Sequence, residues 1–129
     1  MPGRVLLDTT IIIALFNQDQ AGMNRLGMVE EVFVPSIAIG ELFYGAYNSR
    51  QVEQSLETIR TFVQANTILV ADAQTAEVYG KIKSRLRERG RPIPENDVWI
   101  AAIALQHQLE LAARDTHFAE VEGLPLQVW

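Results

Sequence analysis

The segment VLLDTTIIIALF at residues 5–16 decides the fold, because three aliphatic residues stop at a carboxylate, Asp8, and a second apolar run follows. The first run predicts a buried central strand, and Thr9 or Thr10 could cap the crossover helix that comes next. Asp8 then lies at the carboxyl end of a parallel strand, where open α/β sheets bind ligands. Alternatively, Asp8 only assists the N-terminus of the helix. The rest of the chain has to decide between these roles.

Composition bounds the class of protein. A chain of 129 residues with 48% hydrophobic residues predicts one folded domain, residues 1–129, and excludes a disordered chain. There is no cysteine, which excludes disulfides and thiolate metal sites and favours a reducing cytoplasm. The longest apolar run, residues 11–16, is far shorter than the roughly 18 residues that span a bilayer. We therefore expect a cytoplasmic protein without a membrane segment.

Short apolar runs alternate with amphipathic segments along the rest of the chain. Further strands are predicted at residues 32–34, 67–70, 111–113 and 126–128, and further helices at residues 23–31, 37–47, 51–65, 73–89 and 98–105. Ser36 and Asp72 are the expected N-caps of two of these helices. Such alternation requires right-handed βαβ crossovers. We therefore predict an α/β fold, a three-layer α/β/α sandwich with a mainly parallel central sheet of four to five strands.

Four acidic residues fall at one edge of this predicted sheet. Asp8 and Asp115 end strands, Asp97 precedes a helix that is apolar on nearly every side, and Glu41 lies on a mainly apolar helix face. Four crowded carboxylates repel one another unless cations neutralise them. Oxygen ligands select hard ions such as Mg²⁺ or Mn²⁺, which also bind phosphate oxygens. The cluster therefore predicts attack by water on a phosphodiester, assisted by one or two metal ions.

Each acid has an expected role in that chemistry. Asp8 and Asp97 would be direct or near metal ligands, Asp115 would complete the coordination sphere, and Glu41 would hold a water on the metal or act as its base. The alternatives are structural: Glu41 could be a rim residue in solvent, and Asp97 or Asn96 could cap the following helix. Capping, however, hardly requires both of two adjacent residues.

Six of the eleven Lys and Arg residues form one alternating series, on and just after the helix at 73–89. They are Lys81, Lys83, Arg85, Arg87, Arg89 and Arg91. A net charge of −5 argues against a protein that binds nucleic acid over its whole surface. The series would instead attract a polyanion beside an acidic cleft, although a solvated basic helix end that complements the helix dipole is the alternative.

Three other side chains bear on the predicted edge. Trp99 could stack on a base, but the apolar helix around it favours a core position. His117 falls in a loop near the acids, where it could support them, and His107 fits a packed helix position. Two histidines are too few for a histidine metal site.

Four motifs resemble those of PIN-domain ribonucleases and, within them, the VapC-type toxins of bacterial toxin–antitoxin pairs. The motifs are LLDTT at 6–10, SIAIGELFYGA at 36–46, NDVWIAA at 96–102 and RDTHF at 114–118. The resemblance implies an α/β/α sandwich, Mg²⁺- or Mn²⁺-dependent endoribonuclease activity, a homodimer and inhibition by a cognate VapB-type antitoxin. The acidic positions of the family fall on Asp8, Glu41, Asp97 and Asp115.

Two positions depart from the pattern of the family. Relatives often carry Asn or Ser where this chain has Thr10, and Thr or Ser where it has Ala113. Thr9 and Thr116 are the remaining nearby hydroxyls. With Asn96, they are the residues that we expect to position water or a ligand around the metal.

Other readings of the acids fit less well. A response-regulator receiver needs a late Lys, whereas the last one is Lys83, and a haloacid-dehalogenase-type phosphatase needs Asp at position 10. The serious alternative is a catalytically silent PIN-like module that binds protein or RNA. Retention of four mutually repelling acids favours the enzyme, because a binding module gains nothing from that repulsion. Apolar surface on the first helices and on residues 51–65 would serve dimerisation or antitoxin docking, or only the core.

Overall fold

A computed structural model describes residues 3–129 and confirms the predicted alternation of strands and helices. The strands are β1 (Arg4–Leu7), β2 (Glu31–Pro35), β3 (Thr67–Leu69), β4 (Glu110–Ala113) and β5 (Leu126–Val128). The helices are α1 (Thr9–Phe16), α2 (Gln20–Leu26), α3 (Ser36–Tyr47), α4 (Val52–Ala65), α5 (Ala73–Glu88) and α6 (Glu95–Gln106), and a short 3₁₀ helix spans Thr116–Glu120.

The strands form one parallel sheet in the order β3-β2-β1-β4-β5, with β1 at its centre. The direction in which strands are added to the sheet changes at β1, because β2 lies on one side of β1 and β4 lies on the other. Leu6 of β1 lies in register with Leu111 of β4, and the backbone N–H of Asp8 donates to the carbonyl oxygen of Ala112 at 2.9 Å. The gap beyond the carboxyl ends of β1 and β4 is therefore the topological switch point, where doubly wound sheets bind ligands.

Alternation along β1 builds the two layers that cover the sheet. Leu6 packs in one core cluster with α5 and α6, whereas Val5 and Leu7 pack in a second cluster with α1, α3 and α4. Successive side chains of a strand point to opposite faces, so a run of three aliphatic residues is buried on both sides. This arrangement confirms the predicted α/β/α sandwich.

Helix α6 is the most deeply buried helix, as its sequence predicts. Residues 100–104 are fully buried, and three of them are Ala, which allows neighbouring elements to approach closely. Its 12 residues pack beside α5 and against the sheet. Among residues 3–129, no helix is long and apolar enough to cross a membrane.

Several predicted helix starts were wrong, and capping explains them. Helix α2 begins at Gln20, three residues before the prediction, because Asp19 caps it by accepting a hydrogen bond from the backbone N–H of Gly22 at 2.8 Å. Ser36 is the first residue of α3 and not its N-cap, a position that Pro35 takes. Asp72 caps α5 as predicted.

Helix α6 begins at Glu95, with Pro94 as its N-cap, and not at residue 98. Proline is tolerated at a helix start because it lacks only an N–H that would have no partner there. Asn96 and Asp97 consequently lie inside the first turn, and no side chain caps this helix. The capping alternative for these two residues was therefore wrong.

Candidate functional site

A cleft of about 930 Å³ opens at the switch point, between the starts of α1 and α6 and the middle of α3. All four predicted acids line this cleft, and they come from four separate elements. Two of the three predicted water-positioning residues, Thr9 and Asn96, line it as well, whereas Thr116 begins the 3₁₀ helix outside its walls. The lining residues that carry ionisable or polar side chains are Asp8, Thr9, Thr10, Glu41, Tyr44, Glu95, Asn96, Asp97 and Asp115.

Asp8 is buried in the cleft floor and does not cap its own helix. It is 3% exposed and occupies the N-cap position of α1 without a side-chain hydrogen bond to the first turn. Burial raises the pKa of its carboxyl to about 6, helped by the charge of Asp97 and less by that of Glu41, and opposed by the backbone N–H groups that begin α1. A carboxylate here is costly unless a cation accompanies it.

His117 bridges two of the other acids. Its Nε2 lies 2.7 Å from Oδ2 of Asp97, and its Nδ1 lies 2.8 Å from Oδ1 of Asp115. Burial raises the pKa of Asp97, an effect that the hydrogen bond and charge of His117 oppose and that the charges of Glu41 and Asp115 reinforce. The His117 ring contacts one carboxyl through each of its two nitrogens. Sequence analysis placed His117 near the acids without this bridge.

Hydroxyl groups surround Glu41 on one side of the cleft. The Thr9 hydroxyl donates to Oε1 of Glu41 at 2.5 Å, which orients the carboxylate from α3 toward the start of α1. Thr10, the first departure from the family pattern, is exposed in the cleft lining. Ala113, the second departure, is fully buried in the core on the α5–α6 side of the sheet.

The donor chemistry of the cleft fits a hard divalent cation. Four carboxylates line the cleft, and one of them, Asp8, is buried beside the charges of Asp97 and Glu41, which the first backbone N–H groups of α1 offset only in part. In the described part of the chain, no three acidic or histidine side chains converge as a ready-made ligand set. Asp97 and Asp115 contact His117, and Glu41 accepts a hydrogen bond from the Thr9 hydroxyl. The residues fit a cation in type and position, while their side chains are turned toward protein partners.

The basic series lies on α5 and the turn after it, away from the cleft walls. Within residues 3–129, the cleft lining contains no Lys or Arg. Lys83 comes nearest, since its Nζ lies 2.7 Å from Oε1 of the lining residue Glu95. Arg85 and Arg89 pair with Glu120 and Glu122 of the segment after β4, and in the same range Lys81, Arg87 and Arg91 make no ion pair. An RNA-binding role for the series stays a prediction.

The aromatic residue that lines the cleft is Tyr44, and not Trp99, which the sequence analysis considered as a stacking residue. Trp99 is half-buried and stacks on Tyr79 of α5, with ring centroids 4.0 Å apart and planes 10° apart, so it packs against a neighbouring helix but lies outside the buried core that the sequence favoured. Tyr44 lines the cleft and is 74% exposed, and sequence analysis missed it. Its position three residues after Glu41 on a predicted helix is the signal that would have found it, because residues i and i+3 share a face.

Sequence comparison identifies relatives over nearly the whole chain. The profile of the PIN domain family matches residues 5–124. Ribonuclease VapC1 of Haemophilus influenzae (strain R2866) is 32% identical over 96% of each chain. The tRNA(fMet)-specific endonuclease VapC of Shigella flexneri is 31% identical over 98% of each chain.

Structural comparison leads to the same relatives. The VapBC-1 structure from nontypeable Haemophilus influenzae superposes with a TM-score of 0.88 at 30% identity, over 98% of each chain. VapBC-5 from Mycobacterium tuberculosis, a member of the VapBC family of toxin-antitoxin systems, superposes with a TM-score of 0.78 at 25% identity, over 98% of this chain and 97% of that one.

Proposed function

Because the chain belongs to the PIN-domain family and, within it, to the VapC ribonucleases, we propose that the acidic cleft is the catalytic site of an RNA-cleaving toxin. The protein is an endoribonuclease and the toxin of a toxin–antitoxin pair. The observation that carries the assignment of the site is the meeting of four acids in one cleft at the switch point of the sheet. Residues 1–129 act as one PIN-like domain.

The reaction depends on Mg²⁺ or Mn²⁺, with one or two ions held by Asp8, Asp97 and Asp115. Such an ion, when bound, lowers the pKa of water and neutralises phosphate charge. Glu41, oriented by the Thr9 hydroxyl at 2.5 Å, holds the attacking water or accepts its proton. The bridge of His117 to Asp97 and Asp115 supports this proposal, because it keeps two acids together that would otherwise repel.

The partners follow from the family and from surface chemistry. RNA is the substrate, and the basic series of α5 attracts it from outside the cleft. Thr9 and Asn96 position water or ligand groups around the acids, whereas Thr116 lies outside the cleft walls and has no such role. A VapB-type antitoxin inhibits the toxin, a second copy completes a homodimer, and the cytoplasm, where RNA is accessible, is its compartment.

A cleavage assay tests this function. Purified protein free of antitoxin is incubated with a bulk tRNA fraction and Mn²⁺, because the Shigella flexneri relative is named for tRNA(fMet). We expect discrete cleavage products that a chelator abolishes and that Glu41→Gln reduces by about 100-fold or more. Glu120→Gln, which removes a paired acid outside the cleft, is the matched control and should cleave like the wild type.

If the protein is instead a module that binds partners without cutting RNA, we expect no cleavage. A folded wild type that cleaves no RNA with either ion would favour this alternative. Cleavage that Glu41→Gln leaves unchanged would remove the cleft from the reaction and leave the activity without its proposed site.

A further inference from the structure

We propose that the exposed ring of Tyr44 is the surface on which an RNA base stacks beside the phosphate that is cut. This inference rests on the proposed function and names the group through which the same cleft holds a nucleotide. Tyr44 lines the cleft that contains the four acids and is 74% exposed. A large aromatic ring exposed at the wall of an acidic cleft offers a stacking surface to a ligand with an apolar face.

The cleft has few other means to hold a nucleotide. Across residues 3–129, its lining contains no Lys or Arg, so no side-chain cation contacts an RNA phosphate inside it. Five acidic side chains line it instead, and they repel a polyanion. Base stacking on an aromatic ring does not depend on charge, and it is a common way in which proteins hold single-stranded RNA.

The backbone of α3 leaves the cleft open near Tyr44. Gly40 lies one helical turn before Tyr44, and both residues line the cleft. A Cβ placed on Gly40 would meet no atom within 4 Å, so the cleft is open at this position. Glu41 lies in the same turn, which places the open space beside one of the proposed catalytic acids.

Tyr44 is also free to accept a partner, unlike the other aromatic residues near the cleft. Among the described residues its ring takes part in no aromatic or cation–π pair, whereas Tyr79 is held by Trp99 and by Lys83. Ile13 of α1, 47% exposed, lines the same cleft and extends the apolar surface. A base on Tyr44 would thus cover apolar area on two helices.

Continuity with the acids favours RNA over a protein partner as the occupant of this ring. The comparison residue is Tyr47, which lies on the same helix and is 63% exposed but does not line the cleft. If exposed tyrosines of α3 only dock a protein, both should behave alike. If Tyr44 binds a base, it alone should affect RNA.

Two measurements test the proposal on Tyr44→Ala, Tyr44→Phe and Tyr47→Ala. The first is KM and kcat for cleavage of the tRNA fraction with Mn²⁺. The second is quenching of 2-aminopurine fluorescence in a short single-stranded RNA, measured with Asp115→Asn added to every protein so that cleavage does not interfere. The second readout does not require activity, so it separates failure of this inference from failure of the nuclease assignment.

We expect Tyr44→Ala to raise KM by about 10-fold with kcat nearly unchanged, since stacking of one base contributes roughly that factor or more. Tyr44→Phe and Tyr47→Ala should resemble the wild type, and only Tyr44→Ala should lose the quenching. Equal behaviour of the two alanine variants would overturn the proposal. So would unchanged RNA binding by Tyr44→Ala together with weaker dimerisation or antitoxin binding, which would make the ring a protein-docking residue.

Discussion

The starts of α1 and α5 look alike in sequence and differ in physical chemistry. Asp8 and Asp72 each follow a strand closely and occupy the N-cap of the next helix. Asp72 accepts a hydrogen bond from the backbone N–H of Thr75 at 3.0 Å, and Thr75 accepts one from Asp72 in return. Hydrogen bonds to its carboxyl from the backbone N–H and the hydroxyl of Thr75, and from the Gln106 side chain, hold the pKa of Asp72 below its usual range. Asp8 makes no such bond, and burial raises its pKa to about 6.

Position in the sheet explains the difference. Strand β3, before Asp72, is an edge strand, whereas β1, before Asp8, is the central strand at the switch point. Asp72 is exposed and stabilised by hydrogen bonds with its own helix, while Asp8 is buried beside Asp97, and the backbone N–H groups that begin α1 offset the cost of its burial only in part. A carboxylate that stabilises its helix is a structural cap. One that is costly in the folded protein indicates a site that something else must complete.

The largest expected effect is on RNA cleavage. Asp8→Asn should lower kcat/KM by about 100-fold or more, because it removes a charge that holds the metal. Asp72→Asn makes the same chemical change at the other helix start and should cleave like the wild type, since Asn is an equally good cap. Equal losses in the two variants would erase the distinction drawn between these positions.

The same substitution should have the opposite effect on stability. Without divalent ions at neutral pH, Asp8→Asn should raise the free energy of unfolding by about 1–3 kcal/mol, because it removes a buried charge whose pKa is raised. Urea unfolding with a chelator measures this difference. A less stable variant would mean that the Asp8 carboxylate is compensated inside the protein.

The pH dependence of that stability has a definite sign. A carboxyl whose pKa rises on folding from 3.8 to about 6 binds its proton more tightly in the folded state. The stabilisation is complete below pH 3.8 and is lost as the pH rises through about 6. The metal-free wild type should therefore gain about 1 kcal/mol relative to Asp8→Asn when the pH falls from about 7.5 to about 5.5. No relative change would contradict the raised pKa of Asp8.

A smaller effect is expected at the structural cap. Asp72→Ala leaves the first N–H groups of α5 without their acceptor, so its thermal midpoint should fall by about 3–5 °C. Thermal unfolding followed by circular dichroism measures this shift. Asp72→Asn should recover most of it, and RNA cleavage below the midpoint should be unaffected in both variants.

The smallest expected effect is a difference in KM for RNA between the cations of the basic series that pair with acids and those that do not. Replacing Lys81, Arg87 and Arg91 with Gln should raise KM for RNA by about 5-fold at low salt and weaken its salt dependence. The matched control replaces Lys83, Arg85 and Arg89, which already pair with acids. Both sets remove three charges, so equal effects would show that only net charge matters.

Sequence reasoning reached the fold and the four acids because both depend on strong local signals. The two-sided burial of residues 5–7 identifies a central parallel strand, and parallel strands end at one edge whatever the exact crossovers. Asp8 and Asp115 follow strands, so their meeting needs no further information. The position of Glu41 follows from its helix face and that of Asp97 from the start of a buried helix, which the three-residue error at the start of α6 does not move away from the cleft.

The contacts among these side chains could not be predicted from the sequence. His117 lies on a 3₁₀ helix that is too short to show a periodicity, and its ring contacts Asp97 and Asp115. The sequence does not distinguish Trp99 from Tyr44, because both are aromatic residues two or three positions after an acid on a helix. Only the packing of Tyr79 against Trp99 decides which ring is occupied and which is free.

The most direct test of the central claim is Mn²⁺ binding by calorimetry, on wild type, Asp8→Asn, Asp97→Asn and Asp72→Asn. Wild type and Asp72→Asn should bind Mn²⁺, and both cleft variants should lose the binding. Mn²⁺ binding that survives in Asp8→Asn and Asp97→Asn, or its absence from a folded wild type even with RNA present, would contradict the assignment of the cleft as a metal-dependent catalytic site.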